Sequence, residues 1–598
     1  MISLLPKQLF LFDPLAIFFL VVITLVCVPS AIFSIGYLRD ETLKKKTLAW
    51  VLLVIFVLSM CFTVVSGNLF SFLIFWELMS LASYFLVVFD FKHEKSIRAG
   101  TIYLIMTHAG TACLMAAFFI FYNYAHSFDY VAVKQAAVSL SPQMRNIIFL
   151  LLLIGFSTKA GVVPLHIWLP YAHPQAPSHI SSIMSGVMIK IAIYGMVRFF
   201  VTLLGPGPGW WGALILVLGI ISCLVGVIYA LMDHDLKKLL AYHSVENIGI
   251  ILLGVGAAMF FNSLGIGAVA VLSMCAGLYH LINHALFKGL LFLCSGSVFK
   301  QTGLRDMEKM GGLIKVMPIT ALFFLIGAMG ISALPPLNGF VSEWLTFQAF
   351  FSGILQSQGA VKIFMVLSAA GLALTSGLAA ACFVKAFGIA FLAMPRSTRA
   401  LEAKEVGFSM KMGMASLAVL VVLFGIGAGF VAPLILRISC AVFGIENTQV
   451  SFYLVSVLPP MIAIILVVCA LAIFLWFKFV LHAKQTRYNT WDCGYYVLDS
   501  RNEYTATAFS KPFRIAFSFF LQPYRKSEKI RDSFYHVRKF TYETHTTLVF
   551  RSYFYEPLVR LVYSTASKMR KLQPGSIHLY ILYIFITLVA LLLITTVF

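Results

Sequence analysis

Runs of about twenty apolar residues recur from one end of this chain to the other, and most of its charge lies in the segments between them. A helix of that length crosses the roughly 30 Å hydrocarbon core of a bilayer. Only 11% of the 598 residues are charged and 61% are hydrophobic, whereas soluble domains carry roughly a quarter charged residues. Backbone groups in lipid must be satisfied within each segment, and the runs lack the short alternation of barrel strands, so helices are the expected solution. The sequence predicts an all-α polytopic membrane protein of about 14 transmembrane helices. They are expected near 15–37, 48–67, 69–89, 100–122, 146–170, 178–204, 208–232, 241–258, 264–299, 318–350, 361–394, 411–440, 453–480 and 577–598.

Alternate loops differ in charge. One set carries Arg39 with Lys44 to Lys46, Lys92 with Lys95 and Arg98, Lys237 with Lys238, Lys300 through Lys315, Arg396 through Lys411, and the stretch 481–576. The other, near 68, 206, 260, 355 and 446, has almost no Lys or Arg, and the loop at 123–145 with Lys134 and Arg145 is its exception. The positive-inside rule places the basic set in the cytoplasm, with both termini outside, in the inner (plasma) membrane. The net charge of +21 is read as topology and contact with anionic headgroups, not as a nucleic-acid surface. The ten cysteines are scattered without a CxxC pair, so no disulfide framework, iron–sulfur ligand set or other metal or cofactor site is expected. Residues 15–37 lack a cationic leader and cleavage site and read as a retained span.

An internal repeat is visible in spacing. His108 and His280 lie 172 residues apart, as do Pro164 and Pro336, and Glu77 and Glu246 lie 169 apart; AGVVPLH around the first proline answers SALPPLN around the second. Residues 48–204 and 208–394 would each hold five spans, and an odd number inverts the second copy, the arrangement of many secondary transporters. The remaining parts are 1–47, a first helix and loop; 411–480, two flanking helices; 481–576, a basic segment; and 577–598, a last span. Pro164, and Pro335 with Pro336, should interrupt the fifth and tenth spans, because proline removes a donor and clashes with the preceding turn. Broken backbone at that depth is tolerated where it is buried in protein or lines water.

Charge inside the spans is the strongest functional sign. Glu77, Lys159, Lys190, Glu246, Lys288, Glu343 and Lys385 lie within or at the edge of predicted spans, accompanied by His108, His243, His280 and His284. Each buried charge near mid-bilayer costs at least ~2.5 kcal/mol on insertion scales, so a set of them marks a polar interior and an ion or proton route. His280, His284 and Lys288 recur at four-residue intervals and share one helix face. A structural reading stands beside each. Lys190 and Lys385 sit where a lysine can snorkel, His108 can be a hydrogen-bonded core histidine, and the His280, His284 spacing would suit a metal but lacks a third ligand. In the basic segment, Ile530, Phe534, Val537 and Phe540 interleave with Lys529, Arg531, Arg538 and Lys539, predicting an amphipathic helix over 527–550 that Pro557 ends or restarts.

The strings FWELMSLASYFLV, KAGVVPLHIWLPYAHPQAP, SGVMIKIAIYG, DLKKLLAYHSVENIGI, NHALFKGLLFLCSGSV and LPPLNGFVSEW, with the later TWDCGYY and EYTATAFSKP, resemble the proton-conducting antiporter-like subunits of complex I and its membrane-bound hydrogenase relatives over roughly residues 10–520. The resemblance implies a lateral helix along a membrane arm. It also implies that Glu77 and Lys159 form a first charged pair, that Lys190 with His280, His284 and Lys288 forms a central relay, and that Glu343, where relatives vary between Lys and Glu, lies nearest a second half-channel. Family members carry two more helices ahead of the segment that begins here near Leu9, so those helices are dispensable here, supplied by another chain, or absent through truncation. The expected function is translocation of H⁺ or Na⁺ coupled to redox chemistry in partner subunits. The alternatives are a cation/proton antiporter subunit without a redox partner and a non-conducting membrane anchor.

Overall fold

The computed structural model describes residues 8–445, 458–482, 486, 490–495, 497–532, 537–570 and 575–597. Among them, eleven helices are long and apolar enough to cross a membrane and three shorter ones are apolar. Part of the predicted span 453–480 lies outside the described residues. The chain divides into two units, Met1–Phe513 and Arg514–Phe598.

The first unit opens with α1 (Pro14–Tyr37), its N-terminus capped by the Asp13 carboxylate on Ala16 N. There follow α2 (Leu43–Val65), α3 (Leu69–Val87), α4 (Glu94–Ala125), α5 (Tyr130–Ser139), α6 (Pro142–Ala160), α7 (Leu169–Gln175), α8 (Ser178–Ile183) and α9 (Ile189–Met196). A π-helical turn, Met184–Met188, joins α8 to α9 and a second, Val197–Leu203, extends α9, making one span, Ser178–Leu203. The next stretch holds α10 (Gly209–Met232), α11 (Leu236–Ser263), α12 (Gly267–Thr302), α13 (Pro318–Ile331), α14 (Asn338–Gln356) and α15 (Gly359–Phe391). After a short α16 (Thr398–Leu401) come α17 (Phe408–Ile426), α18 (Ala428–Phe443), α19 (Leu458–Leu475) and α20 (Ala506–Ala516), which reaches into the second unit.

The breaks fall where the prolines predict. α6 stops at Ala160, Gly161 takes φ +79°, and helix resumes at Leu169; α13 stops at Ile331, Ala333 takes φ +51°, and helix resumes at Asn338. A third interruption, at Gly427 between α17 and α18, divides the predicted span 411–440. The one proline of that span, Pro433, lies six residues further on, inside α18, and does not mark the break.

Hydrogen bonds between loops sort the two ends of the bundle. The Lys300 ammonium donates to the carbonyls of Gly36 (2.9 Å) and Tyr37 (2.7 Å), Leu236 N donates to Arg305 O, and Arg396 N donates to Met310 O, so the basic loops meet at one end. At the other, Gly67 N donates to Leu9 O and Leu69 N to Phe128 O, while the Arg145 guanidinium donates to Leu204 O and Pro206 O. The 123–145 loop thus lies with the lysine-poor set, as its place in the chain requires. The most buried helices are α11, α12 and Ser178–Leu203. α10 and α11 approach closely: a Cβ on Gly226 would stand 2.5 Å from Glu246 N, which is how a span with a carboxylate is held against its neighbour.

In the second unit, α21 (Ser518–Leu521) precedes an antiparallel hairpin of β1 (Tyr524–Arg531) and β2 (Val537–His545), then α22 (Glu556–Arg570) and α23 (Ile577–Val597). The hairpin corrects the expected amphipathic helix over 527–550. In β2, Phe540, Tyr542 and Thr544 fall at alternate positions, a period of two that favours a pleated strand over a helical stripe. Cross-strand pairs support it: Lys529 stands opposite Phe540 with its ammonium 5.4 Å from the ring centre, and Tyr524 stacks on His545. Phe534 lies outside the described residues. An amphipathic helix does occur in this segment as α22, with Pro557 in its first turn.

Candidate functional site

Glu77 projects from the middle of α3, and the charge that meets it is not Lys159. Its carboxylate lies 3.5 Å from His108 Nε2 on α4, and both side chains are partly exposed, by 28% and 48%. No ion pair joins Glu77 to Lys159 among the described residues. Lys159, in the last turn of α6, is buried and donates to Ser80 Oγ (2.8 Å) and Tyr103 Oη (3.0 Å), with the rings of Trp76 and Tyr103 beneath it. Ser80 stands one turn beyond Glu77 on α3, but its hydroxyl donates to Trp76 O and no bond from it to Glu77 is present among the described residues, so the two ends of the expected pair stand near each other without a direct link. Since α6 ends one residue later, the ammonium also faces the negative end of a helix dipole.

From this cluster the polar contacts continue inward. Ser83 Oγ and Tyr103 Oη are 2.6 Å apart, and Tyr103 Oη donates to Met188 Sδ in the first π turn. Lys190 donates to the carbonyl of Ser185, in a turn where π geometry leaves that oxygen available. Ser185 Oγ in turn meets Ser244 Oγ of α11 at 2.7 Å, crossing from the first stretch of helices to the second.

On α11, His243 Nδ1 bonds the Glu246 carboxylate, and Asn247 Nδ2 donates to the same carboxylate at 3.2 Å. Asn247 Oδ1 accepts from His280 Nε2 (3.2 Å), and His280 Nδ1 meets Ser342 Oγ of α14 at 3.0 Å. One residue on, Glu343 accepts from Ser376 Oγ of α15 at 2.5 Å. His284 and Lys288 follow His280 along α12, wholly buried; neither ring nitrogen of His284 and no donor of Lys288 has a hydrogen-bond partner among the described residues. Beside the second break Asn283 Nδ2 donates to Asn338 O (2.7 Å). Lys385 is placed differently. Its ammonium donates to Leu231 O (2.7 Å) and Asp233 O (2.8 Å), capping α10 at the basic end.

Three groups of importance were not separable in the sequence. Ser80, Tyr103, Ser185, Ser244 and Asn247 carry the links between charges, yet a hydroxyl or amide in an apolar run has no spacing to mark it. Lys237 looks like its neighbour Lys238 but is buried, donating to Ala176 O at 2.9 Å, while Lys238 pairs with Asp233. It borders a cavity of about 230 Å³ at the basic end, with Tyr37, Glu41, Lys45, His93 and Arg305 among the walls. In the adjoining loop, burial first and the Lys385 ammonium second hold His234 below the usual imidazole pKa.

Helices that cross a bilayer, two of them broken by proline, around a buried row of ionisable, hydroxyl and amide groups define a multi-pass membrane protein organised about a polar interior. The chain belongs to the family described as NADH:quinone oxidoreductase/Mrp antiporter, TM, which matches residues 66–373; residues 8–45 match the N-terminus of NADH-ubiquinone oxidoreductase (complex I) chain 5. It is 38% identical to hydrogenase-4 component B of Escherichia coli (strain K12), across 97% of this chain and 88% of that one. It is 36% identical to formate hydrogenlyase subunit 3 of the same organism, across 76% of this chain and 72% of that one. In fold it is similar to a chain of the membrane-bound sulfane sulfur reductase, an archaeal respiratory membrane complex, with a TM-score of 0.78, 24% identity and coverage of 98% and 89%.

Proposed function

We propose that this chain is the ion-translocating membrane subunit of a multisubunit complex of the hydrogenase or formate hydrogenlyase type, moving H⁺ or Na⁺ through two inverted repeats while partner subunits handle electrons. The observation that carries the reading is the row itself. Lys159 with Ser80 and Tyr103, Ser185 with Ser244, and Asn247 with His280 and Ser342 form linked segments that pass from one repeat to the other through helices otherwise packed with apolar side chains. An anchor that conducts nothing would have no use for so many costly buried polar groups. Glu77, Lys159, Lys190, Glu246, His280, His284, Lys288 and Glu343 are its stations, and His108 and His243 hold the two carboxylates of matching position, Glu77 and Glu246.

Lys159→Ala in the purified complex, reconstituted into vesicles, tests this. Ion movement per electron transferred should fall to background while the subunits still co-purify; movement at the native ratio would make Lys159 structural and end the reading. Antiport without a redox partner is the second reading, favoured by the Mrp branch of the same family. It predicts that mild purification recovers small multi-spanning partners and no hydrogenase subunit. The basic end is assigned to the cytoplasm of a cell whose inner membrane holds the complex.

A further inference from the structure

The segment that follows the bundle's last described helices in the first unit is fastened to the basic end by side chains aimed at backbone. The Glu503 carboxylate accepts from Met394 N (2.8 Å) and lies 3.6 Å from the Arg396 guanidinium, which donates to Tyr504 O. The Glu308 carboxylate caps the start of α20, accepting from Thr507 N (2.7 Å), Thr507 Oγ1 (2.6 Å) and Ala506 N (3.3 Å). His234 Nε2 meets Thr507 Oγ1 at 3.2 Å. One turn on, Ser510, fully buried, donates to Leu231 O at 2.6 Å, the carbonyl that Lys385 also binds. The segment therefore covers the end of α10 at the point where Lys385 closes it.

Behind Lys385 lies the second repeat's part of the row. Cys382 and Phe383, on the same helix, are buried, and Phe383 packs its ring 4.7 Å from that of His243, the partner of Glu246. If this end exchanged ions with the basic side while Glu343 and its neighbours discharged at the other, the repeat would be a continuous pore. Coupled transport requires one of the two ends to be shut.

We propose that Glu503–Ser510 is a seal over the second repeat, closing the Lys385 end of the row to the basic face, with Glu308 and Ser510 as the positioning residues. The inference rests on the ion-translocating reading only for its purpose; the seal itself is a statement about access. Native Cys382, buried three residues before Lys385, reports it. In the whole reconstituted complex, a small membrane-impermeant thiol reagent supplied on the basic side should leave Cys382 unmodified. In Glu308→Gln combined with Thr507→Val it should modify Cys382 at least ~10-fold faster, and an imposed pH gradient should collapse several-fold faster without redox turnover. Ser510→Ala, which removes one hydrogen bond and keeps the Glu308 cap, should give intermediate labelling and serves if the double variant does not assemble. Cys382 as unreactive in both variants as in the native complex overturns the proposal, and so does labelling without a faster collapse. Neither measurement uses coupled turnover, so failure here is distinct from failure of the Lys159 test.

Discussion

Two hydroxyls and two aromatic faces surround the Lys159 ammonium, which solvates a cation without neutralising it. A proton leaving such a site has an oxygen to move to at each contact, the Ser80 hydroxyl or the Tyr103 hydroxyl, and Tyr103 reaches on to Met188 in the π turn before Lys190. Ser80→Ala and Tyr103→Phe each remove one acceptor, worth about 1 kcal/mol, and should each slow coupled translocation by roughly 3–10-fold while leaving assembly intact. Lys159→Arg should fare little better than alanine, since a guanidinium keeps its proton; vesicle acidification per electron transferred measures both. Arg198 calls for the opposite expectation. It is 2% exposed and held by both Asp13 oxygens at 2.6 and 2.7 Å, with Tyr194 Oη on its Nε. Asp13→Asn leaves that charge buried and poorly paired, so thermal unfolding of the detergent-solubilised complex should show a loss of several kcal/mol, on the order of 3–5, in contrast to the stable but inactive Lys159 variants.

Among elements, the broken helices decide what the row can do, because they end a helix dipole beside Lys159 and expose backbone beside Asn338. Gly161 is required for the first break: it sits at φ +79°, and a Cβ there would meet Leu169 Cδ1 at 2.5 Å. Gly161→Ala should therefore destabilise the complex by roughly 1–3 kcal/mol and reduce translocation with it, read from a thermal melt and vesicle assay on the same preparation. Both proline breaks were legible, since Pro164 and Pro335 with Pro336 interrupt apolar runs of otherwise helical length. The break at Gly427 was not, because a glycine in an apolar run is equally at home in an unbroken span. The hairpin at Tyr524–His545 is ambiguous for a related reason. Ile530, Phe534, Val537 and Phe540 stand three or four apart, as on a helix, while Phe540, Tyr542 and Thr544 alternate, as on a strand. The charged residues inside the spans stand out in the sequence because lipid makes each one costly; the serines, tyrosine and asparagine beside them leave no such pattern.

At the scale of the whole molecule, the alternation of basic and lysine-poor loops anticipated which loops share an end, and the bonds from Lys300 to Gly36 and Tyr37 and from Arg145 to Leu204 agree with it. The side of the membrane can be read directly. With accessible cysteines replaced, single cysteines in the 300–317 loop and near 355 should be labelled from opposite sides, and an impermeant reagent outside the cell should reach only the one near 355; the reverse pattern inverts the topology. One long-range contact also bears on how the protein is made. Asp13 and Arg198 are 185 residues apart, and at ~5–20 residues per second a ribosome needs roughly ten to forty seconds to travel between them. During that interval α1 is already synthesised, its Asp13 without the guanidinium it will finally hold, and when Arg198 emerges it must find a helix inserted long before. The bundle therefore cannot be settled in the order of its chain: α1 has to stay laterally free, or be chaperoned by the insertion machinery, until the span Ser178–Leu203 arrives to fix it.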